Sequence, residues 1–147
     1  MLINKNDLPL VAMEFMNEVH LEDIDIINDL FCAVLEYENN PTDENEQILH
    51  SKYKVWYDHT VDHFQKEEVM MKEKQFPPYP IHQGEHTFAL NRMEEVFKQW
   101  ESTKDINILK VYMQQELPEW LVKHIQTMDT VTAMFLKTGL SPCAMQH

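Results

Sequence analysis

Glycine is almost missing from this sequence, which has only two glycines in 147 residues, and its seven prolines cluster at a few places. So little glycine argues for long helices joined by short breaks and against a glycine-rich β fold. Cysteine is equally scarce. Cys32 and Cys143 are far apart and lack the spacing of a metal or redox motif, so we expect no disulfide framework and a reducing compartment. Cys32 falls in an apolar helical run and is predicted to be a small core residue.

Positive charge is also in short supply. The chain has 12 Lys and Arg against 25 Asp and Glu, a net charge of −13 and a pI near 4.9. Such a surface repels nucleic-acid phosphates and anionic membranes, so neither is expected as a partner, and the acidity serves mainly solubility. No stretch approaches the ~18 apolar residues of a membrane span, and the first residues have no apolar signal-peptide core. We therefore expect one cytoplasmic domain over residues 1–147.

Apolar residues recur at helical spacing in four segments. They predict helices over about Glu18–Tyr37, Thr42–Lys74, Ile81–Trp100 and Ile106–Lys137. Asn17 is the predicted N-cap of the first helix, and Pro118 is expected to kink or restart the fourth. Residues 1–16 are predicted to form an arm across the bundle, and residues 140–147 a loose tail. The expected fold is all-α, an antiparallel up-down-up-down four-helix bundle.

The apolar stripe of the second helix turns polar in its middle, at His63 and Glu67. A helix seldom places such residues on a buried face unless something satisfies them, because an unpaired buried charge costs several kcal/mol. Residues four apart share one face of a helix, which pairs His63 with Glu67 and His82 with His86. Two such pairs on adjacent antiparallel helices would form half of a metal cage.

Further candidates fall at the same end of the predicted bundle. An antiparallel bundle brings the start of its first and third helices beside the end of its second and fourth. Seven candidate ligands meet this condition: His20, His63, Glu67, His82, His86, His124 and Asp129. Five residues advance an α-helix by about 500°, so His124 and Asp129 are not expected on one face. Their spacing fits better if they serve different metal ions.

Four motifs, in this order, resemble the hemerythrin family, and within it the bacterial hemerythrin-like (bacteriohemerythrin) proteins. They are His20 followed by Ile27-Asn28-Asp29-Leu30, then His63-Phe64-x-x-Glu67-Glu68, His82-x-x-x-His86, and Trp120-Leu121-x-x-His124-Ile125-x-x-x-Asp129. The resemblance covers almost the whole chain. It departs in the first helix, which lacks the acidic-x-Gln-His pattern of many members, so that Asn28 is an alternative to His20. The expected place of His20 in the first turn of its helix favours His20.

The resemblance implies two non-haem iron ions (Fe²⁺/Fe³⁺) joined by a solvent-derived oxo or hydroxo bridge. It assigns His82, His86 and His124 to one iron, His20 and His63 to the other, and Glu67 and Asp129 as bridging carboxylates. One coordination position then stays open on the iron of His20 and His63. The implied function is reversible binding of O₂ for storage, delivery or sensing, without enzymatic turnover; NO, peroxide and azide-like anions are further possible ligands.

Two other functions stay open on the same site: a di-iron peroxidase or NO-reducing enzyme, and an iron-handling or regulatory protein. Five neutral imidazoles favour reversible binding, whereas oxygenase-type di-iron proteins use more carboxylates. The apolar residues beside the ligands would form a dry wall around the site, with ordinary core packing as the alternative. The resemblance implies that Leu121 contacts bound oxygen. These wall residues are Leu121, Trp120, Ile125 and Phe64. His59 and Glu68 are interpreted either as partners of ligand residues or as partly exposed residues without a metal role.

Overall fold

The computed structural model describes residues 2–138, so the predicted tail and Cys143 lie outside the described residues. Three long helices come first: α1 (Glu14–Asn39), α2 (Asp43–Glu73) and α3 (Tyr79–Thr103). A fourth helical stretch, called here the fourth helix, contains α4 (Ile106–Val111), α5 (Leu117–His124) and α6 (Thr130–Thr138), joined by π-helical turns over Tyr112–Glu116 and Ile125–Asp129. A short 3-10 turn, Lys5–Asp7, precedes α1. The predicted all-α bundle is confirmed over the described residues.

Side-chain contacts give the directions of the helices. Along α1 and α2, Asp23 contacts His63, and Asp29 further along α1 contacts Lys52 earlier in α2. The same reversed order relates α2 to α3, through Glu68–His86 and Glu46–Lys104, and α3 to the fourth helix, through His82–Thr132 and Arg92–Glu116. Each helix therefore runs opposite to the next.

The start of α1 differs from the prediction. The helix begins at Glu14, one turn early, and Asn17 lies inside it instead of capping it. The Asn17 side chain forms two hydrogen bonds with the arm: its Oδ1 accepts from Val11 N and its Nδ2 donates to Val11 O, both at 2.9 Å. Asn28 holds Ile3 of the arm in the same way, at 2.9 and 3.1 Å. His20 consequently lies in the second turn of α1.

Cys32 of α1, which was predicted to be a core residue, lies at the surface of the bundle. The inward stripe includes Ile24, Ile27, Phe31 and Val34, all buried. Cys32 lies outside this stripe and is exposed, and Leu35 lies at the edge of the stripe and is 37% exposed. The prediction of Cys32 as a core residue is therefore wrong.

Proline shapes the later helices differently from the prediction. Helix α3 begins at Tyr79, not Ile81, because Pro80 falls in the first turn, where a missing N–H costs nothing. Pro118 likewise falls in the first turn of α5, and the backbone stays helical through it. The π turn just before it supplies the adjustment, with Leu117 N–H bonding to Tyr112 O, five residues back.

The buried interior is divided along the bundle. Toward the far end it is apolar and aromatic, with Leu49, Trp100, Leu109 and Met113 fully buried. Toward the near end, which contains the starts of α1 and α3, the buried residues are largely His, Asp and Glu. The near end is therefore where function is to be sought. Within residues 2–138 no helix is both long and apolar enough to pass through a membrane.

Candidate metal centre

The structure brings all seven candidate ligands together at the near end of the bundle. Helix α1 supplies one of them, α2 two, α3 two and the fourth helix two, and none is more than 6% exposed. They are His20, His63, Glu67, His82, His86, His124 and Asp129. Asn28, the alternative to His20, is instead engaged with Ile3 of the arm.

The donor atoms form two groups. One contains Glu67, His82, His86, His124 and Asp129, and the other His20, His63 and Glu67; within each group the donor atoms lie within 4.8 Å of one another. His82, His86 and His124 thus share one location, and His20 and His63 share the other.

Glu67 and Asp129 each point one oxygen toward each group. Glu67 Oε2 lies 2.5 Å from His63 Nε2, while its Oε1 lies 3.3 Å from His86 Nε2. Asp129 Oδ2 lies 3.0 Å from His20 Nε2, while its Oδ1 lies 3.0 Å from His82 Nε2. This is the arrangement of a carboxylate that binds two cations, one through each oxygen.

Five buried polar atoms of the first group have no hydrogen-bond partner among the described residues. They are the Nε2 atoms of His82, His86 and His124, together with Glu67 Oε1 and Asp129 Oδ1. These atoms approach one another to 3.0–3.5 Å, but without the alignment of a hydrogen bond. A buried unpaired acceptor costs about 1–3 kcal/mol, so five at one point need a common partner. A cation satisfies all five at once.

Four of the histidines are oriented by a hydrogen bond from the opposite ring nitrogen. Their Nδ1 atoms form hydrogen bonds with Asp23 (His63, 3.0 Å), Thr132 (His82, 2.8 Å), Glu68 (His86, 3.0 Å) and Glu85 (His124, 2.8 Å). Such a bond fixes the ring and leaves the Nε2 lone pair for a metal. His20 is different, because its Nδ1 is buried without a partner in the described part of the chain.

Sequence reasoning missed three of these four partners. Asp23, Thr132 and Glu85 were not among the candidate residues. Glu68 had been left open, and the structure makes it the partner of His86. A usable signal existed: Asp23 and Thr132 each lie three residues, about one helical turn, beyond a candidate ligand on its buried side.

His59, whose role was also open, lies beside this network. Its Nε2 is 2.9 Å from Asp23 Oδ1, and its side chain is 23% exposed. Asp23 is therefore held between His63 inside and His59 at the surface.

The expectation that His124 and Asp129 point apart is wrong. Their side chains meet, with His124 Nε2 3.2 Å from Asp129 Oδ1. The residues Ile125–Asp129 form a π-helical turn, in which hydrogen bonds join residues five apart. A five-residue spacing therefore becomes a same-face spacing at this one turn. His124 and Asp129 share one group, while the second Asp129 oxygen reaches the other.

Known proteins were compared with this chain. A bacteriohemerythrin of Aquifex aeolicus is 31% identical over 138 residues, which cover 92% of this chain and 98% of that protein. The chain belongs to the bacteriohemerythrin family. A bacteriohemerythrin of Ralstonia nicotianae is 29% identical over 127 residues, covering 85% of this chain and 89% of that protein. No family model matches the chain, and no solved structure matches it either.

In this member of the bacteriohemerythrin family, aromatic rings cover two of the histidines. Phe64 stacks on His86 with ring centroids 3.8 Å apart and planes within 2°, and Trp120 stacks on His124 at 4.6 Å and 10°. Such stacking excludes water from the donor atoms and limits rotation of the imidazoles.

A cavity of about 60 Å³ adjoins the centre. Three of the four predicted wall residues, Phe64, Trp120 and Leu121, line it, together with His20 and His63. Ile125 is not among the lining residues; it is fully buried in the apolar core. The cavity thus reaches both histidines of the group that has fewer of them, and it also touches His124 and Asp129 of the other group.

Without a metal ion, the charges within the centre shift its pKa values strongly. Burial alone lowers the pKa of a histidine, but Asp129 and Glu67 outweigh it and raise the pKa of His82 to about 9. The pKa of His63 is also raised well above its ordinary value, against burial, by Glu67 and Asp23. Burial raises the pKa of a carboxyl, yet His124, His20 and His82 hold the pKa of Asp129 well below its ordinary value. Protons therefore occupy the places that cations would take.

These shifts predict how the metal-free protein responds to pH. A raised histidine pKa stabilises the fold below 6.5, and that stabilisation is lost as pH rises through about 9. The lowered Asp129 pKa adds stability above about 4, which is lost in acid. Thermal unfolding of metal-stripped protein should therefore show a lower Tm at about pH 9.5 than at about pH 6, for a loss of up to about 3 kcal/mol. An equal or higher Tm at the alkaline pH would contradict this account of the centre.

Proposed function

We propose that the two groups of buried ligands hold two iron ions and that the protein binds O₂ reversibly there. The observation that carries the proposal is the pair of carboxylates, Glu67 and Asp129, each with one oxygen toward each group of histidines. Imidazole and carboxylate ligands in this mixture suit iron. The membership in the bacteriohemerythrin family points to the same chemistry.

The two groups differ in a way that suggests where O₂ binds. Three histidines converge at one group and two at the other, so the group of His20 and His63 has fewer protein ligands. The cavity is lined by both His20 and His63, whereas of the other group it is lined by His124 and Asp129 but not by His82 or His86. A small ligand arriving through the cavity therefore meets the group with room for it. When bound there, a pair of iron ions would supply the two electrons that reversible O₂ binding requires.

The surrounding residues of the chain favour binding over turnover. Leu121, Trp120 and Phe64 line the cavity with apolar surface, which keeps water and its protons away from the centre. Leu121 is the residue proposed to contact the bound gas. The hydrogen bonds from the Nδ1 atoms hold the imidazoles in place as the ligand comes and goes.

An optical spectrum with an iron count tests the proposal. Anaerobically reduced protein should contain about two iron ions per chain and show little visible absorption. Air should produce a visible charge-transfer band, and removal of oxygen should abolish it. One iron ion per chain, or zinc in place of iron, would refute the proposal. Rapid irreversible loss of the band with sustained consumption of peroxide or NO would favour the enzyme alternative.

A further inference from the structure

The cavity beside the centre extends outward between α3 and the fourth helix. Its inner lining includes His20 and His63, both buried. Its outer lining includes Phe88, which is 62% exposed, together with Arg92 and Glu116, whose side chains are 33% and 45% exposed. The cavity is therefore bounded by the ligands at one end and by surface side chains at the other.

An ion pair lies across that outer end. Arg92 Nε donates to Glu116 Oε2 at 2.7 Å, and Arg92 Nη1 contacts Glu95 Oε2 at 3.3 Å. The first contact joins α3 to the fourth helix. Exposed ion pairs add only about 0–1 kcal/mol to stability, so this pair holds the two helices together only weakly. It can open without unfolding either helix.

The helix geometry places Glu116 at this position. Glu116 is the last residue of the π-helical turn Tyr112–Glu116, whose extra residue per turn shifts the face that follows. Tyr112, the first residue of this turn, and Leu117, the residue that follows it, also line the cavity. The turn therefore contributes both the wall and one half of the ion pair.

The positive charge of Arg92 affects which small molecules approach the opening of the cavity. The chain carries a net charge of −13, which repels anions over most of its surface. Among the described residues that line the cavity, Arg92 is the only lysine or arginine. A cation at the opening raises the local concentration of anions, whereas a neutral gas is indifferent to it.

We propose that the Arg92–Glu116 pair is the outer gate of this cavity and that Arg92 sets its selectivity, admitting small anions as well as neutral gases. The inference rests on the proposed function, because the gate controls access to the centre. Glu116 restrains Arg92, so the two residues have separable effects. Loss of either partner opens the gate, but only loss of Glu116 keeps the Arg92 cation at the opening, where, among the described residues, it then pairs with Glu95 alone.

Two variants and two ligands test the gate. O₂ binding to the reduced protein and azide binding to the oxidised protein are followed by stopped flow for Arg92→Gln and Glu116→Gln. For O₂, both variants should raise the association and dissociation rates several-fold and leave Kd unchanged. For azide, Glu116→Gln should associate about tenfold faster than Arg92→Gln at low salt, and the difference should shrink as salt is added.

Lys110 and Glu38 provide the matched control. This pair joins the fourth helix to α1 at 2.9 Å, is similarly exposed, and does not line the cavity. Lys110→Gln and Glu38→Gln should leave the O₂ association and dissociation rates and the azide association rate at their wild-type values. Rates in the Arg92 and Glu116 variants that match those of the control would overturn the gate, and the wild-type spectrum would still support O₂ binding.

Fluorescence quenching tests the gate without any ligand binding at the centre. Trp56 lines the cavity and is 2% exposed, so quenchers reach it mainly through the opening. Iodide should quench Glu116→Gln more than Arg92→Gln, while neutral acrylamide should quench both more than wild type. If quenching follows this order while no variant binds O₂ or azide, the gate stands and the proposed function fails. Equal quenching by iodide in the two variants would refute the selectivity.

Discussion

Replacing Glu67 with alanine should reduce the iron content from about two ions per chain to one or none. Glu67 is fully buried and, among the residues that the structure describes, is the one common to both groups of donor atoms. Alanine removes the oxygen beside His63 and the oxygen beside His82 and His86 in one step. It also removes a negative charge that would offset the two proposed cations, and an uncompensated buried charge costs about 3–5 kcal/mol. The measurement is elemental analysis of protein purified in parallel with wild type.

Glu68→Ala is the control for this variant, because it changes the same residue type one position along α2. Glu68 is half-buried, and its hydrogen bond within residues 2–138 is with His86 Nδ1, so the variant should keep both ions with weaker affinity. Glu67→Gln keeps the shape of the side chain without its charge and should lose iron nearly as fully as alanine. Retention of two ions in Glu67→Ala would show that this carboxylate does not bridge them.

Replacing Asp23 with alanine should lower the affinity for metal by about 10–100-fold. Asp23 does not belong to either group of donor atoms. It accepts the hydrogen bond from His63 Nδ1, so its loss frees the ring to rotate and leaves a buried N–H unpaired. Competition with a chelator, using zinc or cobalt as the metal, measures the affinity independently of O₂ binding.

Two further variants separate positioning from a general loss of stability. Asp23→Asn keeps an acceptor oxygen for His63 Nδ1 and should recover most of the lost affinity. Asp25→Ala removes an exposed carboxylate two residues further along α1, which pairs with Lys5, and the variant should bind metal like wild type. Equal affinities for Asp23→Ala and Asp25→Ala would show that Asp23 does not position His63.

The candidate centre was largely predictable because its ligands break a periodic pattern. Polar residues on a stripe that is otherwise apolar stand out, and the direction of each helix then places them at one end. The second helix was also well defined, because Thr42 and the acids that follow it are the usual signals of a helix start. Where one signal had one common explanation, the structure agrees with the sequence.

The errors arose where one residue had two competing explanations. Asn17 has a side chain typical of an N-cap, but its two hydrogen bonds with Val11 depend on where the arm lies. An acidic residue such as Asp23 can interact with the positive end of its own helix or with a histidine on another helix, and the sequence favours neither. Tertiary contacts decided both cases, and no local pattern reports them.

The π-helical turns were unpredictable for another reason. A π turn adds one residue to an otherwise regular helix. A search at a fixed 3.6-residue period therefore assigns the residues after the turn to the wrong face of the helix. The spacing of His124 and Asp129 was such an error, and it was interpreted as divergence of the two side chains. The cavity and the ion pair at its outer end both depend on the earlier π turn, so they too were beyond reach of the sequence.

The arm carries a consequence for the centre. Asn17 fastens it to α1 three residues before His20, and Lys137 near the end of the fourth helix donates to Ala12 O. Fraying of the first turns of α1 would release the arm and displace His20 together. Attachment of the arm and metal binding at the candidate ligand His20 then both depend on the same equilibrium, the folding of the first turns of α1. Each must strengthen the other by the same factor, because coupling between two binding events is reciprocal.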